Sequence, residues 1–268
     1  MKHTRHFLLL FLLSTLAIAL TKTATGFPAS SFTQQHGDWY DNWEIDRNDA
    51  GYDGELPGYL PNLASETLGK NKELAYGIGQ QFLDRYQNTN DRADAILKYV
   101  QTWTYYGYDS DNFVRNGVAQ EEWAVNADEF AHGFNQNTGV KAVGDCEDMA
   151  FLCGTIYVGA GFDAAIIDAT DHVALLIWLP EYPNADHYWD LDDGRGPGWI
   201  WIEATGSENP VGWTPSDYED GYWTAYQINS QPYVALSPTP PEFTFDDVYI
   251  LLFIVIAAII TLLSRVRR

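Results

Sequence analysis

Residues 144–162, GDCEDMAFLCGTIYVGAGF, place one cysteine among three carboxylates just where a turn gives way to an apolar run. Gly144 permits a tight approach of the backbone, and Asp145 is a good N-cap. Glu147 and Asp148 fall in a first turn, where acids suit the positive end of the helix dipole. From Met149 to Val158 apolar side chains occur nearly all round, and Gly159-Ala160-Gly161 ends the run, so the stretch predicts a buried central helix. Cys146 then stands in the first turn, where unsatisfied backbone N–H groups favour a reactive thiolate. Its acidic neighbours oppose that, so the thiol needs a cationic partner, for which an imidazolium is the usual choice. Cys153 is the only other cysteine. Seven residues of helix separate the pair by about 10.5 Å, beyond the roughly 7 Å that a disulfide spans between Cα atoms. Both thiols are therefore expected free, Cys146 as a nucleophile and Cys153 as an inert core thiol.

Downstream the hydrophobic period changes. Ala164 to Ala169, His172 to Leu179 and Trp199 to Ala204 are short apolar or alternating runs bounded by turn residues, and they predict three strands after the helix. Of the six histidines, His3 and His6 lie at the N-terminus, His36 in an irregular stretch and His132 in an unpatterned loop. His187 belongs to the hydrophilic connection PEYPNADHYWD, where a solvated residue is expected. His172 opens the second strand directly after a tight turn, on a face shared with Ala174, Leu176 and Trp178, and is the candidate base. Glu203 is an acid inside an otherwise apolar strand, flanked by Trp201, Ile202 and Ala204. A charge there needs a partner, and His172 is the expected one.

Upstream, apolar residues recur at helical spacing from Lys70 to Tyr86 and from Asp91 to about Tyr106, with the polar break Asn88-Thr89-Asn90 between them. Residues 27–62 keep no sustained period and predict an irregular N-terminal wrap, followed by helix up to residue 90. Asp46, Asn48 and Gly51 sit at calcium-loop spacing, but Ala50 occupies a ligand position and no Glu closes the loop, so a solvated turn is expected. No metal and no cofactor is expected anywhere.

Both ends carry apolar segments. Residues 1–26 have the basic start, apolar run and small polar end of a secretory signal. Residues 247–264 have the length and composition of one membrane-spanning helix, preceded by a Pro-rich spacer at 236–246 and followed by a basic tail at 265–268. The expected product is a single-pass protein of the cell membrane with its folded domain outside. Between Phe27 and Asp246, 36 Asp and Glu stand against 9 Lys and Arg, which excludes nucleic acid as a partner because binding it needs clustered basic residues. Nothing in the pattern signals an oligomeric state.

GDCEDMAFLCGTIYVGAGFDAAIIDATDHVALLIW followed by GWIWIEATG, with ADAILKYVQTWTYYGYDSD upstream, resembles the transglutaminase-like superfamily over roughly residues 91–206. The resemblance implies an α+β fold with a papain-like transglutaminase core at 91–235, in which the central Cys-bearing helix packs on an antiparallel sheet; the apolar segment at 247–264 adds the C-terminal transmembrane helix. It implies Cys146 as nucleophile, His172 as general base and acid, and Glu203 as the orienting carboxylate, although Asp is commoner there and Pro often stands where this chain has Ala204. The backbone N–H of Cys146 is a natural oxyanion donor, with Trp103, Gln101 or Trp123 as candidate side-chain donors. A protein or peptide substrate follows, attacked at an amide carbonyl. Transfer to water makes a peptidase or amidase and transfer to a lysine amine makes a crosslinking enzyme; a membrane-anchored binding module that keeps these residues only as structure is the other class.

Overall fold

Fourteen residues that are apolar nearly all round can be accommodated only where every side is covered, and the fold supplies that cover. The computed structural model describes residues 31–42, 44–49, 58–66, 73–228 and 235–236. In chain order these form β1 (Phe32–Gln35), β2 (Asp38–Asp41), α1 (Tyr59–Glu66), α2 (Glu73–Arg85), α3 (Thr89–Trp103), β3 (Thr104–Tyr106), α4 (Asp109–Asn112), β4 (Val114–Arg115), β5 (Val118–Ala119), α5 (Ala127–Ala131), β6 (Ala142–Gly144) and α6 (Cys146–Gly159). They continue with β7 (Ala164–Ala169), β8 (His172–Trp178), β9 (Trp199–Ile202), a 3-10 turn (Ser216–Tyr218), β10 (Trp223–Gln227) and β11 (Ala235–Leu236). The predicted signal, the predicted span at 247–264 and the basic tail lie outside the described residues. Among the described residues, no helix is long and apolar enough to cross a membrane.

The expected α+β architecture is present. One sheet in the order β11-β10-β7-β8-β9, antiparallel at every pairing, carries α6 on one face. Val173, Leu175 and Ile177 of β8, with Ile166, Ile200 and Ile202, pack in the same core as Phe151, Leu152 and Ile156 of α6. Ala174, Leu176, Trp199, Trp201 and Trp223 fill a second core on the opposite face. Strand alternation thus sends both faces into cover, which is why these strands read as nearly continuous apolar runs.

Three departures from the sequence reading have local causes. The N-terminal stretch is not wholly irregular. His36 (φ 56°) and Gly37 (φ 120°) form a two-residue hairpin loop joining β1 to β2, a geometry suited to strand twist. The second departure is α1, which buries Tyr59, Leu60, Leu63 and Ala64 in too few residues to display a period, with Pro61 in its first turn, where no N–H is missed. The third concerns the helix expected to reach Tyr106. It stops at Trp103, because Thr104–Tyr106 pairs in parallel with Ala142–Gly144. Among the described residues, two further strands also come from the stretch beyond Pro210 and join the three expected after the central helix in one sheet.

The closest helix contact, α2 against α6, is made by two glycines. A Cβ on Gly79 would lie 2.8 Å from the backbone N of Ala160, and one on Gly159 would lie 2.9 Å from the carbonyl carbon of Tyr76. Gly77, two residues from Gly79 on the same helix, has nothing within 4 Å of its added Cβ. The pair gives a matched test by urea denaturation. Gly79→Ala is expected to destabilise the fold by about 1–3 kcal/mol through overpacking, whereas Gly77→Ala is expected to stabilise it by about 0.5–1 kcal/mol through helix propensity. Equal effects would contradict the close approach.

Candidate active site

The start of α6 and the start of β8 meet at one end of the sheet, and this brings Cys146 to His172. Cys146 is the first residue of α6 and is partly exposed, while Cys153 is fully buried two turns further along the helix; both thiols are free. Burial pushes the Cys153 thiol up, in keeping with an inert core position. His172 follows a tight turn whose second residue, Asp171, has φ 55°. Its alternation partners Ala174 and Leu176 face away from α6, so the shared face does not aim the ring. What brings the imidazole to the thiol is its position as the first residue of the strand.

His172 Nε2 lies 2.8 Å from Glu203 Oε2, and Cys146 is close enough to favour the charged imidazolium. Burial opposes charge on His172, but the interactions with Cys146 and Glu203 outweigh it and push its pKa up to about 10. Burial likewise opposes charge on Glu203, yet the bond to His172 holds its carboxyl below the usual range. Glu203 lies one residue beyond the paired part of β9 rather than inside it. There its second oxygen accepts from Thr205 N at 3.1 Å and Thr205 Oγ1 at 2.5 Å, and Trp201 Nε1 donates to the first at 3.3 Å. The extra methylene of Glu relative to Asp therefore costs the histidine bond nothing. A cleft of about 280 Å³ opens alongside, lined in part by Tyr106, Lys141, Met149 and Thr205.

The structure separates the oxyanion candidates. Gln101 is buried, and its Nε2 donates to the Asn209 carbonyl at 2.9 Å and lies 3.5 Å from the Glu203 carbonyl. It braces the backbone behind Glu203 instead of facing Cys146. Trp103 closes α3 half-buried, and Trp123 is fully buried among Phe32, Phe113 and Arg115. The backbone N–H of Cys146, in the open first turn, is the donor that the helix geometry leaves.

On its other side Cys146 borders a cluster the sequence reading did not find. Asp145 occupies the N-cap position but makes no capping hydrogen bond. Its carboxylate instead joins those of Asp109, Glu147 and Asp148, with one oxygen from each within 4.8 Å of the others. Asp148, Asp109 and Glu147 are 0%, 1% and 2% exposed. Asp148 Oδ1 accepts from Val125 N at 2.8 Å, Asp109 Oδ2 accepts from Trp123 N, and the Cys146 thiol lies 3.5 Å from Glu147 Oε2. One oxygen on each of the four carboxylates remains buried without a hydrogen-bond partner. Gly144 leaves the room, since a Cβ there would run into Asp148 and sit 2.8 Å from Phe130. Burial, and next the charge of Asp145, push Asp109 up to about 8; burial first also drives Glu147 and Asp148 well above the carboxylate range. In sequence, two of these acids read as helix-dipole residues, and Asp109, remote in the chain, gave no signal. The stretch around Asp46 and Asn48 bends, with Asp46 Oδ1 accepting from Asn48 N, but it is not the solvated turn expected, since Asp46 and Arg47 are buried.

An oxygen-only set of four carboxylates with unspent lone pairs, and no basic side chain paired to them among the described residues, fits a hard divalent cation such as calcium. Asp109, Asp145, Glu147 and Asp148 would hold it, and it would offset charge that the interior leaves uncompensated. Calcium at about 1 mM is therefore expected to raise the melting temperature of the full chain, with reversal by a chelator. Asp148→Asn is expected to lose most of that shift while leaving the metal-free protein no less stable, because burial already disfavours the charged form of Asp148. An unchanged melting temperature on adding calcium would contradict the assignment.

No family model matches the chain, and no curated protein matches it. Among solved structures it is similar to a proposed protease from Parabacteroides distasonis, at 13% identity and TM-score 0.37 over 68% of this chain and 31% of that one. This chain thus spans less than a third of that protein's length. It is also similar to EGTA-treated LapG of Legionella pneumophila, at 14% identity and TM-score 0.33 over 69% of this chain and 90% of that one. A proposed cysteine protease from Cytophaga hutchinsonii gives 11% identity and TM-score 0.31 over 71% and 59%. The chemistry of the site rests on its own geometry.

Proposed function

We propose that this chain is a transglutaminase-like cysteine acyl-transfer enzyme that hydrolyses peptide or amide bonds, held at the cell surface by its C-terminal apolar segment. The observation that carries the reading is that Cys146, in the first turn of α6, adjoins His172, whose Nε2 is held 2.8 Å from Glu203 Oε2. A binding module has no use for a free thiol at a helix start beside a histidine that is itself oriented by a buried carboxylate. The anchoring rests on the sequence of residues 247–268.

In this reading the Cys146 thiol passes its proton to His172, and the thiolate attacks the amide carbonyl carbon. The carbonyl oxygen gains the negative charge and is met by the backbone N–H of Cys146. His172 returns the proton to the leaving amine as the C–N bond breaks, leaving a thioester on Cys146. His172 then takes a proton from water as the hydroxide adds to the thioester, and returns it to the Cys146 sulfur as the C–S bond breaks, which frees the carboxylic acid and restores the thiol. Glu203 keeps the imidazole oriented through both halves. If a primary amine replaces water, the same thioester yields a new amide, which is the crosslinking alternative.

Incubating the full chain with a mixture of synthetic peptides, with and without an added primary amine, tests this by product mass. Hydrolysed fragments are expected to dominate in both cases. Cys146→Ala is expected to abolish turnover, and His172→Ala to lower it by about 10²–10⁴-fold. Amine adducts as the main product would favour crosslinking. Turnover undiminished in Cys146→Ala would refute the mechanism.

A further inference from the structure

The aromatic cover on the outer face of the sheet continues to the imidazole. Tyr218 stacks with Trp201 at 5.5 Å between centroids and 6° between planes, and with His172 at 5.4 Å and 16°. The phenol comes from the 3-10 turn Ser216–Tyr218, remote in sequence from both Cys146 and His172, and this turn is tied down. Tyr218 N donates to Pro215 O at 3.0 Å, and Trp223 Nε1 donates to Tyr218 O at 3.2 Å. The Tyr218 hydroxyl donates to Thr170 O at 3.2 Å, in the turn that leads directly into His172. Trp201, the other ring against Tyr218, is the one whose Nε1 donates to Glu203.

The polar bond from Nε2 of His172 to Glu203 leaves the plane of the imidazole undetermined, since the ring can still rock about that bond. A stacked ring removes that freedom. It also offers a π face to the imidazolium that forms when the thiol gives up its proton.

We propose that Tyr218 is the positioning residue of this site: its ring sets the plane of the His172 imidazole and steadies the imidazolium opposite the Cys146 thiolate. This role rests on the acyl-transfer reading. It belongs to the ring and not to the hydroxyl.

The test compares iodoacetamide alkylation rates at Cys146 in the full-length wild type, Tyr218→Phe and Tyr218→Leu, together with the NMR shifts of the His172 ring protons. Tyr218→Leu is expected to slow alkylation about tenfold and to move the ring protons as the ring current is lost. Tyr218→Phe is expected to stay within about twofold of wild type with its shifts retained. Tyr218→Met, which keeps apolar bulk without a ring, carries the same expectation as Tyr218→Leu should the latter not fold. Wild-type rates or unmoved shifts in the ringless variants would overturn the proposal. So would a Tyr218→Phe rate as slow as that of Tyr218→Leu, since the Thr170 bond would then be the cause. A wild-type thiol no faster than a model thiol, with shifts as expected, would overturn the acyl-transfer reading and this role with it, and leave only the stack.

Discussion

A helix covered on every side must begin inside the protein, and much of this site follows from that constraint. The body of α6 is apolar, so its cost of burial is small. Its first turn is different: Cys146, Glu147 and Asp148 enter the interior along with N–H groups that have no partner within the helix. The glycine contact with α2 fixes how deeply the helix sits, and the sheet behind it fixes the direction in which its open end points. The thiol stays partly exposed, while Glu147 and Asp148 beside it are sealed in.

Two environments of opposite character therefore meet at Cys146. Toward the sheet lies a satisfied system, in which Glu203 accepts from His172, Trp201 and Thr205 and so holds a charged partner for the thiol. Toward the N-terminal elements lies an unsatisfied one, in which four carboxylates each keep a buried oxygen without a partner. Buried carboxylate oxygens without a donor are costly, so the second environment is the part of the fold that a cation would stabilise most. The aromatic rings on the outer face connect the sheet core to the first environment, since Trp201 serves both Glu203 and Tyr218.

The parts legible in the sequence were those with a long period or a local code. The all-round apolar run marked α6, and β7 was delimited to the residue. His172 stood out as the opening residue of an apolar strand, and Glu203 as an acid within one, where a charge needs a partner. The parts that were not legible depend on contacts between remote residues. Thr104–Tyr106 continues a helical pattern and becomes a strand only because Ala142–Gly144 lies beside it. Asp145 has the sequence of a cap and the geometry of a ligand, because Asp109 arrives from another part of the chain. Gln101 has an amide suited to an oxyanion and spends it on the Asn209 backbone. Tyr218, one of seventeen tyrosines, had no local feature to set it apart.

The central claim is that His172, held by Glu203, makes Cys146 a nucleophile. Intact-protein mass spectrometry after iodoacetamide at pH 6, without reductant, tests it most directly on wild type, His172→Ala and Glu203→Gln. Rapid addition of one label at Cys146 in the wild type, lost in His172→Ala and slowed in Glu203→Gln, is the predicted result. Equal labelling in all three at the rate of a model thiol would contradict the account.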